Sequence, residues 1–399
     1  MKNQVKNLKW TLLAVVGLLL IAGGCGRDQQ VRQGPDYTVL EQALVQRLDQ
    51  LREESGFPGA TCAVVMPDQT LIRIAVGQSD PDTGTLMTPD ARIFTGSAGK
   101  TFFSAALLQL MEEDRLGLDE PISNWFGDEP WFPRLPNNGD LTVRMLMNHT
   151  GGLPRWILDP EIWEGMLANP DRMWSPEERL AYVLDKEPVH EAGKMWYYSD
   201  TDYILLAMIM ERASGNDAYT EIDRRFLKPL KLTCTAPSLS RDIENLPQGC
   251  SGPTGDMTLP DRVVADGHYM LNPQLEWGGG GFVTNSGDLA QWAFHLYRGD
   301  ILKPETMAQL LSPVGKDGMP SETGYGLGVM VRETPGGLSY GHGGIFPGYQ
   351  TAMGYFPEID CSLAVQVNAD RFSGKLKKSP DECLGELAVL VRDAILKEK

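Results

Sequence analysis

Histidine is scarce in this chain. There are five in 399 residues, scattered, with no His-Glu-x-x-His pair to seat a metal ion on one helix face. The sequence carries no metal pattern and implies no cofactor. Basic residues are also in deficit, 36 against 53 acidic, for a net charge of −17. Nucleic-acid recognition needs a basic surface, so that class is excluded; an acid excess otherwise speaks mainly of solubility. Internal repeats are absent. So are long apolar runs: residues 12–21 form an apolar stretch that is short for a stable membrane span. What is present is length, enough for one large domain or two fused lobes with a substantial core.

The first residues read as a secretory leader. Lys2, Lys6 and Lys9 precede the apolar stretch, and Ala22-Gly23-Gly24-Cys25 follows it. A cysteine behind small residues resembles a bacterial lipobox, although Ala22 stands where Leu is commoner. On that reading, 1–24 is a lipoprotein-type signal peptide and Cys25 the lipidated N-terminus. Residues 25–36 are then a polar tether, and 37–399 the folded domain. Loss of three lysines and no acids takes the net charge from −17 to −20. The absence of Asp at position 26 points to the outer membrane, with the domain facing the periplasm or the exterior. The alternatives are an uncleaved anchor and a simply secreted protein. Export means an oxidising compartment. Cys234 and Cys250 bracket a loop and are candidates to close it. Cys361, on a late strand, and Cys383, on the final helix, are a second candidate pair. Cys62 reads as a buried thiol.

Periodicity predicts an amphipathic helix over 37–54, then strands over 60–66 and 70–76 around Pro67-Asp68-Gln69. From about 118 to 270 the periodic segments are helical, among them 203–213. A helix capped by Asn285 or Ser286 runs to 297. The end is strand-rich (326–332, 338–342, 349–356, 362–368) before a closing helix over 380–397. Strands at both ends around a helical middle imply an α/β protein of the α+β type. Its antiparallel sheet is built from both chain ends and flanked by helices, with an inserted, mostly helical lobe.

The chemistry centres on Thr95-Gly96-Ser97-Ala98-Gly99-Lys100-Thr101, which leads into an apolar helix. Ser97 and Lys100 lie three apart, on one face of its first turn. The helix dipole there disfavours the ammonium form of Lys100, which suits a base that activates the Ser97 hydroxyl. Two other readings stand beside this one. The end of the stretch is like a phosphate loop, but Phe94 occupies the position of that motif's first glycine. Ser97 as a cap and Lys100 as a surface amine is the plainer alternative. Two further spots stand out: Tyr197-Tyr198-Ser199-Asp200 before an apolar helix, and Gly341-His342-Gly343-Gly344-Ile345 at a strand end.

Ser-x-x-Lys, Tyr-Ser-Asp and His-Gly-Gly in that order resemble the serine β-lactamase-like family. It includes class C β-lactamases, penicillin-binding DD-peptidases, D-aminopeptidases and family VIII esterases. Asn148-His149-Thr150-Gly151-Gly152-Leu153 is similar to another of its segments. The resemblance implies that Ser97 is the acylated nucleophile, with Lys100 and Tyr198 shuttling its proton. Backbone N–H groups of Ser97 and Ile345 would form an oxyanion hole worth about 3–4 kcal/mol per donor. Asp200, His342, Gly343 and Gly344 would line the substrate site. Asp200 stands where the family often has Asn; ionised, it only accepts hydrogen bonds, and pairing with Lys100 would raise the lysine pKa. His342-Gly343-Gly344 replaces Lys-Thr-Gly, so no permanent charge or hydroxyl grips a substrate carboxylate. The expectation is an exported hydrolase of small-molecule, peptide or ester substrates, an esterase or a peptidase acting on D-amino acids. A class C-type β-lactamase and a non-catalytic envelope binding protein are the alternatives.

Overall fold

The computed structural model describes residues 35–254 and 257–398. The leader, Cys25 and residues 26–34 of the tether lie outside them. Helix α1 (Thr38–Ser55) buries Leu40, Leu44, Leu48 and Leu51 and stops at Gly56 in the left-handed region, where glycine carries no steric penalty. Strands β1 (Gly59–Val65) and β2 (Leu71–Asp80) form the expected hairpin. Along β2 the isoleucines and Val76 are buried while their neighbours are half-exposed, the period-2 pattern of a strand covered on one face. β1 is buried at every residue, as its unbroken run of small and branched side chains requires. A two-residue β3 (Thr85–Leu86) follows.

The remaining strands of this sheet come from the other chain end: β4 (Gly324–Tyr325), β5 (Met330–Thr334), β6 (Gly337–Phe346), β7 (Tyr349–Phe356) and β8 (Cys361–Val367). The sheet order is β4-β5-β6-β7-β8-β1-β2-β3, with every pairing antiparallel. β1 meets β8 from Ala60 opposite Val367 to Val65 opposite Ser362, so the two chain ends are sewn together at the sheet centre. The fold inferred from the sequence is the fold observed.

Three further helices position the site. α2 (Lys100–Glu112) is buried along almost its whole length. α3 (Asp200–Ser214) is buried at every residue from Thr201 to Met210, the signature of a helix with no solvent face. α4 (Ser286–Arg298) starts where the Asn285 side chain accepts the Asp288 N–H at 2.8 Å and packs on β1, β7 and β8. The closing helix α5 (Pro380–Glu398) packs against α1 and the opposite face of the sheet. The short helices Val143–Met147 and Pro176–Leu180 pack against α3. No described helix is long and apolar enough to cross a membrane.

The expected disulfides are not formed. All five described cysteines are free. Cys234 lies beside α4, where its N–H donates to Asp288, whereas Cys250 hydrogen-bonds the Asn368 carbonyl at the end of β8. Cys361 opposes Phe356 in the sheet, while the Cys383 sulfur sits 4.0 Å from the Ser55 hydroxyl at the end of α1. In each candidate pair the two cysteines keep separate partners, and neither pair is bonded. Cys62 is the buried thiol expected, and burial pushes its pKa up to about 12.

Leu48 is wholly enclosed between α1, α5 and the sheet. Leu48→Ala is expected to lower the unfolding free energy by about 2–5 kcal/mol. The measurement is a urea titration, read as a lower midpoint at unchanged slope; a wild-type midpoint would contradict this burial.

Candidate active site

Ser97 sits in a single 3-10 turn, Gly96–Gly99, that runs directly into α2. Side chains behind it hold the turn. The Trp292 ring stacks on Phe102 at 4.2 Å, and its N–H donates to the Thr101 hydroxyl at 2.8 Å. That hydroxyl in turn donates to the Ala98 carbonyl at 2.7 Å. Lys100, the first residue of α2, is wholly buried. Its ammonium donates to Ser97 Oγ at 3.1 Å, Asp200 Oδ1 at 3.0 Å and the Gly279 carbonyl at 2.6 Å.

Three donated bonds use all three protons of an ammonium. Burial opposes the charge on Lys100, but Tyr198 and Asp200 outweigh it and hold the pKa above the ordinary lysine value. The dipole reading of Lys100 as a partly free base is therefore corrected. The first-turn effect of a helix terminus is worth about 1 kcal/mol, too little to compete with a buried carboxylate in contact. Asp200 opens α3, where the dipole favours its negative charge. Burial would raise its pKa, but Lys100 and Arg155 hold it well below the usual carboxylate range. Arg155 reaches Asp200 Oδ2 through Nη2 at 2.6 Å and Nε at 3.1 Å. Asp200 is thus clamped between two cations.

Tyr198 lies under the same cations, 5.1 Å from Lys100 Nζ and 5.4 Å from the Arg155 guanidinium, measured to its ring centroid. Its hydroxyl is buried without a hydrogen-bond partner, and burial, partly offset by Lys100, raises its pKa. The His149 ring supports it at 4.2 Å between centroids. His149 Nδ1 lies 2.7 Å from Asp202 Oδ2 and also accepts the Ser199 N–H at 3.3 Å. A nitrogen that accepts carries no proton, so the proton shared with Asp202 belongs to the acid. Burial first, then the Asp200 charge, raises the Asp202 pKa, and burial lowers that of His149. The platform under Tyr198 is a neutral pair.

On the opposite wall, β5 pairs with β6 only as far as Gly341. Beyond it, β6 keeps β7 on one side and presents its other edge to Ser97. The approach is very close. A Cβ at Gly344 would lie 1.8 Å from the Thr95 carbonyl oxygen and 3.0 Å from the Ser97 nitrogen, and one at Gly96 would lie 2.5 Å from the Ile345 nitrogen. The backbone N–H groups of Ser97 and Ile345 are brought together by glycines that leave no room for a side chain. His342 is wholly buried. Its Nδ1 donates to the Gly343 carbonyl at 2.5 Å and its Nε2 accepts the Tyr325 hydroxyl at 2.8 Å. Burial takes its pKa down to about 3, so the ring is a neutral strut in the wall with both nitrogens occupied. Ser97, Tyr198, Asp200, His342, Gly343, Gly344 and Ile345 all line one cleft of about 920 Å³. Its other walls are largely apolar, with Trp156, Trp163, Trp196, Leu259 and Leu275.

This geometry has known relatives. The family model described as Beta-lactamase matches residues 44–380. The chain belongs to that family. Members of the Beta-lactamase family are serine hydrolases, and so is this chain. It is 23% identical over 304 residues to the putative penicillin-binding protein PbpX of Bacillus subtilis, covering 76% of this chain and 68% of that protein. It is 27% identical to esterase EstB of Burkholderia gladioli, over only 46% and 47% of the two chains. Among solved structures, a D-stereospecific amidohydrolase from Streptomyces sp. superposes with a TM-score of 0.71 at 27% identity, covering 84% of this chain and 95% of that one. The D-amino acid amidase of Ochrobactrum anthropi shares the fold, with a TM-score of 0.72 at 24% identity over 90% and 99%.

The segments 279–284 and 325–328 also resemble the family, but sequence reasoning gave them no contacts, and it missed Arg155, Glu276 and the His149–Asp202 pairing. Arg155 follows directly on the His149-to-Leu153 segment and could have been weighed with it; the others carry no local pattern.

Removing the Asp200 charge would leave Lys100 and Arg155 facing each other. Asp200→Asn is expected to cost about 3 kcal/mol or more in unfolding free energy at neutral pH. In the wild type, the lowered Asp200 contributes stability above the ordinary carboxylate pKa of 3.8 and loses it as pH falls through the folded value. The raised Lys100 contributes below 10.5 and loses it as pH rises through its folded value. Between about pH 5 and pH 9 these two groups should leave wild-type stability flat. An Asn variant as stable as wild type in a urea titration would refute the buried ion pair.

Proposed function

We propose that Ser97 is the nucleophile of an acyl transfer to water, cleaving an ester or amide through an acyl-enzyme. The observation that carries this is the buried Lys100 ammonium 3.1 Å from Ser97 Oγ, in a cleft with an unpartnered Tyr198 hydroxyl. Ser97 Oγ attacks the carbonyl carbon. The Tyr198 oxygen takes the Ser97 proton as it passes its own to the leaving group, so one proton enters and one leaves. Lys100 stabilises the charge that develops on Ser97 and Tyr198 without giving up a proton. The Ser97 and Ile345 N–H groups receive the carbonyl oxygen as it becomes an oxyanion. Water then attacks the acyl-enzyme by the reverse proton path.

Substrates of the esterase or D-amino-acid peptidase and amidase kind suit this site better than β-lactams. Asp200 is spent on Lys100 and Arg155, and His342-Gly343-Gly344 supplies neither hydroxyl nor free charge. The names of the relatives, an esterase and a D-stereospecific amidohydrolase, support the same range. The lipobox-like leader and Cys25 support an exported, lipid-anchored enzyme, held at the outer membrane.

Three assays test this reading. Wild type should take up a fluorescent phosphonate and turn over p-nitrophenyl butyrate, and Ser97→Ala should do neither. Tyr198→Phe should lower kcat by about 10²- to 10⁴-fold while the protein stays folded by circular dichroism. Nitrocefin should be hydrolysed slowly or not at all. Ser97→Ala retaining wild-type turnover would end the nucleophile assignment, and rapid nitrocefin turnover would end the argument from Gly343.

A further inference from the structure

One carboxylate in the cleft is not used by the mechanism. Glu276 precedes the turn Trp277–Gly279 and lines the same cavity as Ser97 and Tyr198. Its Oε2 accepts the Gly281 N–H at 3.0 Å. Among the described residues, Oε1 makes no hydrogen bond and the carboxylate has no ion-pair partner. The nearby cations are committed elsewhere: Lys100 spends its three protons on Ser97, Asp200 and Gly279, and Arg155 is bound to Asp200. Arg332 pairs with Asp381, and Lys378 with Glu54 and Glu386. Arg371 and Lys377, also in the lining, are exposed.

The backbone between Glu276 and the nucleophile is bare. A Cβ on Gly279 would lie 3.5 Å from Glu276 Cγ, 3.9 Å from Lys100 Nζ and 4.0 Å from Asp200 Oδ1. Glycine there leaves the carboxylate within a short reach of the reacting centre. Leu275 adjoins it in the chain, and Leu259 and Trp163 are further apolar residues of the same cleft. A half-buried carboxylate with one oxygen open to the cleft, in a cavity with largely apolar walls, is complementary to a cation carried on a carbon skeleton.

We propose that Glu276 receives an ammonium group in the acyl part of the substrate, which makes amides and esters of amino acids with a free amine the substrate class of this cleft. The inference rests on Ser97 acting as the nucleophile. Burial, only partly offset by Lys100, pushes the Glu276 pKa up to about 7, and an ammonium bound in contact would favour its ionised form. Glu276 is a specificity residue, and the proton path of the reaction does not pass through it.

The test compares phenylalanine p-nitroanilide, as each enantiomer, with its deaminated isostere 3-phenylpropionyl p-nitroanilide, alongside p-nitrophenyl butyrate and phosphonate labelling. Wild type should favour one ammonium-bearing enantiomer over the isostere by about 10- to 100-fold in kcat/KM, the worth of one charged hydrogen bond. Glu276→Gln keeps an acceptor for the Gly281 N–H and removes only the charge, so that ratio should collapse towards one. If the Gln variant takes no label, Glu276→Asp, which withdraws the charge by one methylene, should reduce the ratio. Wild type showing no preference for the ammonium substrate overturns the inference, whatever the variants do. A preference that survives the substitution overturns it too. Turnover of p-nitrophenyl butyrate without any preference for the amine leaves the hydrolase standing and removes only the role of Glu276. Absence of Ser97 labelling in wild type removes both.

Discussion

The site is built around a buried ion pair. Lys100 has no contact with solvent, and a lone ammonium there would cost several kcal/mol. Asp200 makes that burial tenable, and Arg155 in turn holds Asp200 ionised. The three charges come from α2, from the start of α3 and from the loop after Leu153, so they also fix how these segments meet. A charge held this way needs no reorganisation when negative charge develops on Ser97, and such pre-set electrostatics are the largest single contribution to many enzymatic rates. On the proposed mechanism the same clamp has a chemical consequence: Lys100 stabilises charge, and proton movement falls to the Tyr198 hydroxyl.

The second constraint is steric. β6 passes so near the Ser97 turn that glycine is required on both sides of the contact. This closeness sets two backbone N–H groups side by side from positions far apart in the chain. The strand expected to end at His342 runs on to Phe346 through this contact, ten residues in all. His342 itself contributes bulk and two internal hydrogen bonds, with no nitrogen left for substrate.

Much of this was legible in the sequence, for identifiable reasons. The α1 helix, the β1–β2 hairpin and strands β7 and β8 showed in apolar spacing, because each covers one face or is covered on both. Ser97 and Lys100 showed as a three-residue spacing at a helix start. Tyr198 and His342 gained meaning only together with them, since each alone has an ordinary structural explanation. What sequence could not show were partners made by distant segments: Arg155 on Asp200, Asp202 on His149, Tyr325 on His342, and the isolation of Glu276. The dipole reading of Lys100 failed because the contact with Asp200, which the departure from the family's Asn had already suggested, outweighs a helix terminus. The cysteine pairings failed too, since spacing in the sequence does not fix which sulfur atoms meet.

The seam between β1 and β8 governs when the protein acquires its chemistry. Residues 60–65 have no partner on that side until residues 362–367 arrive, and Ser97 has no opposing N–H until Ile345 does, about 250 residues later, which is a high contact order. A growing chain therefore holds β1 with one edge open and Ser97 without its opposing wall. Such an edge is a hazard for pairing with other chains. Synthesis must be nearly complete before the enzyme can exist, and a hydrolase assembled in this order stays silent until its last strands are in place.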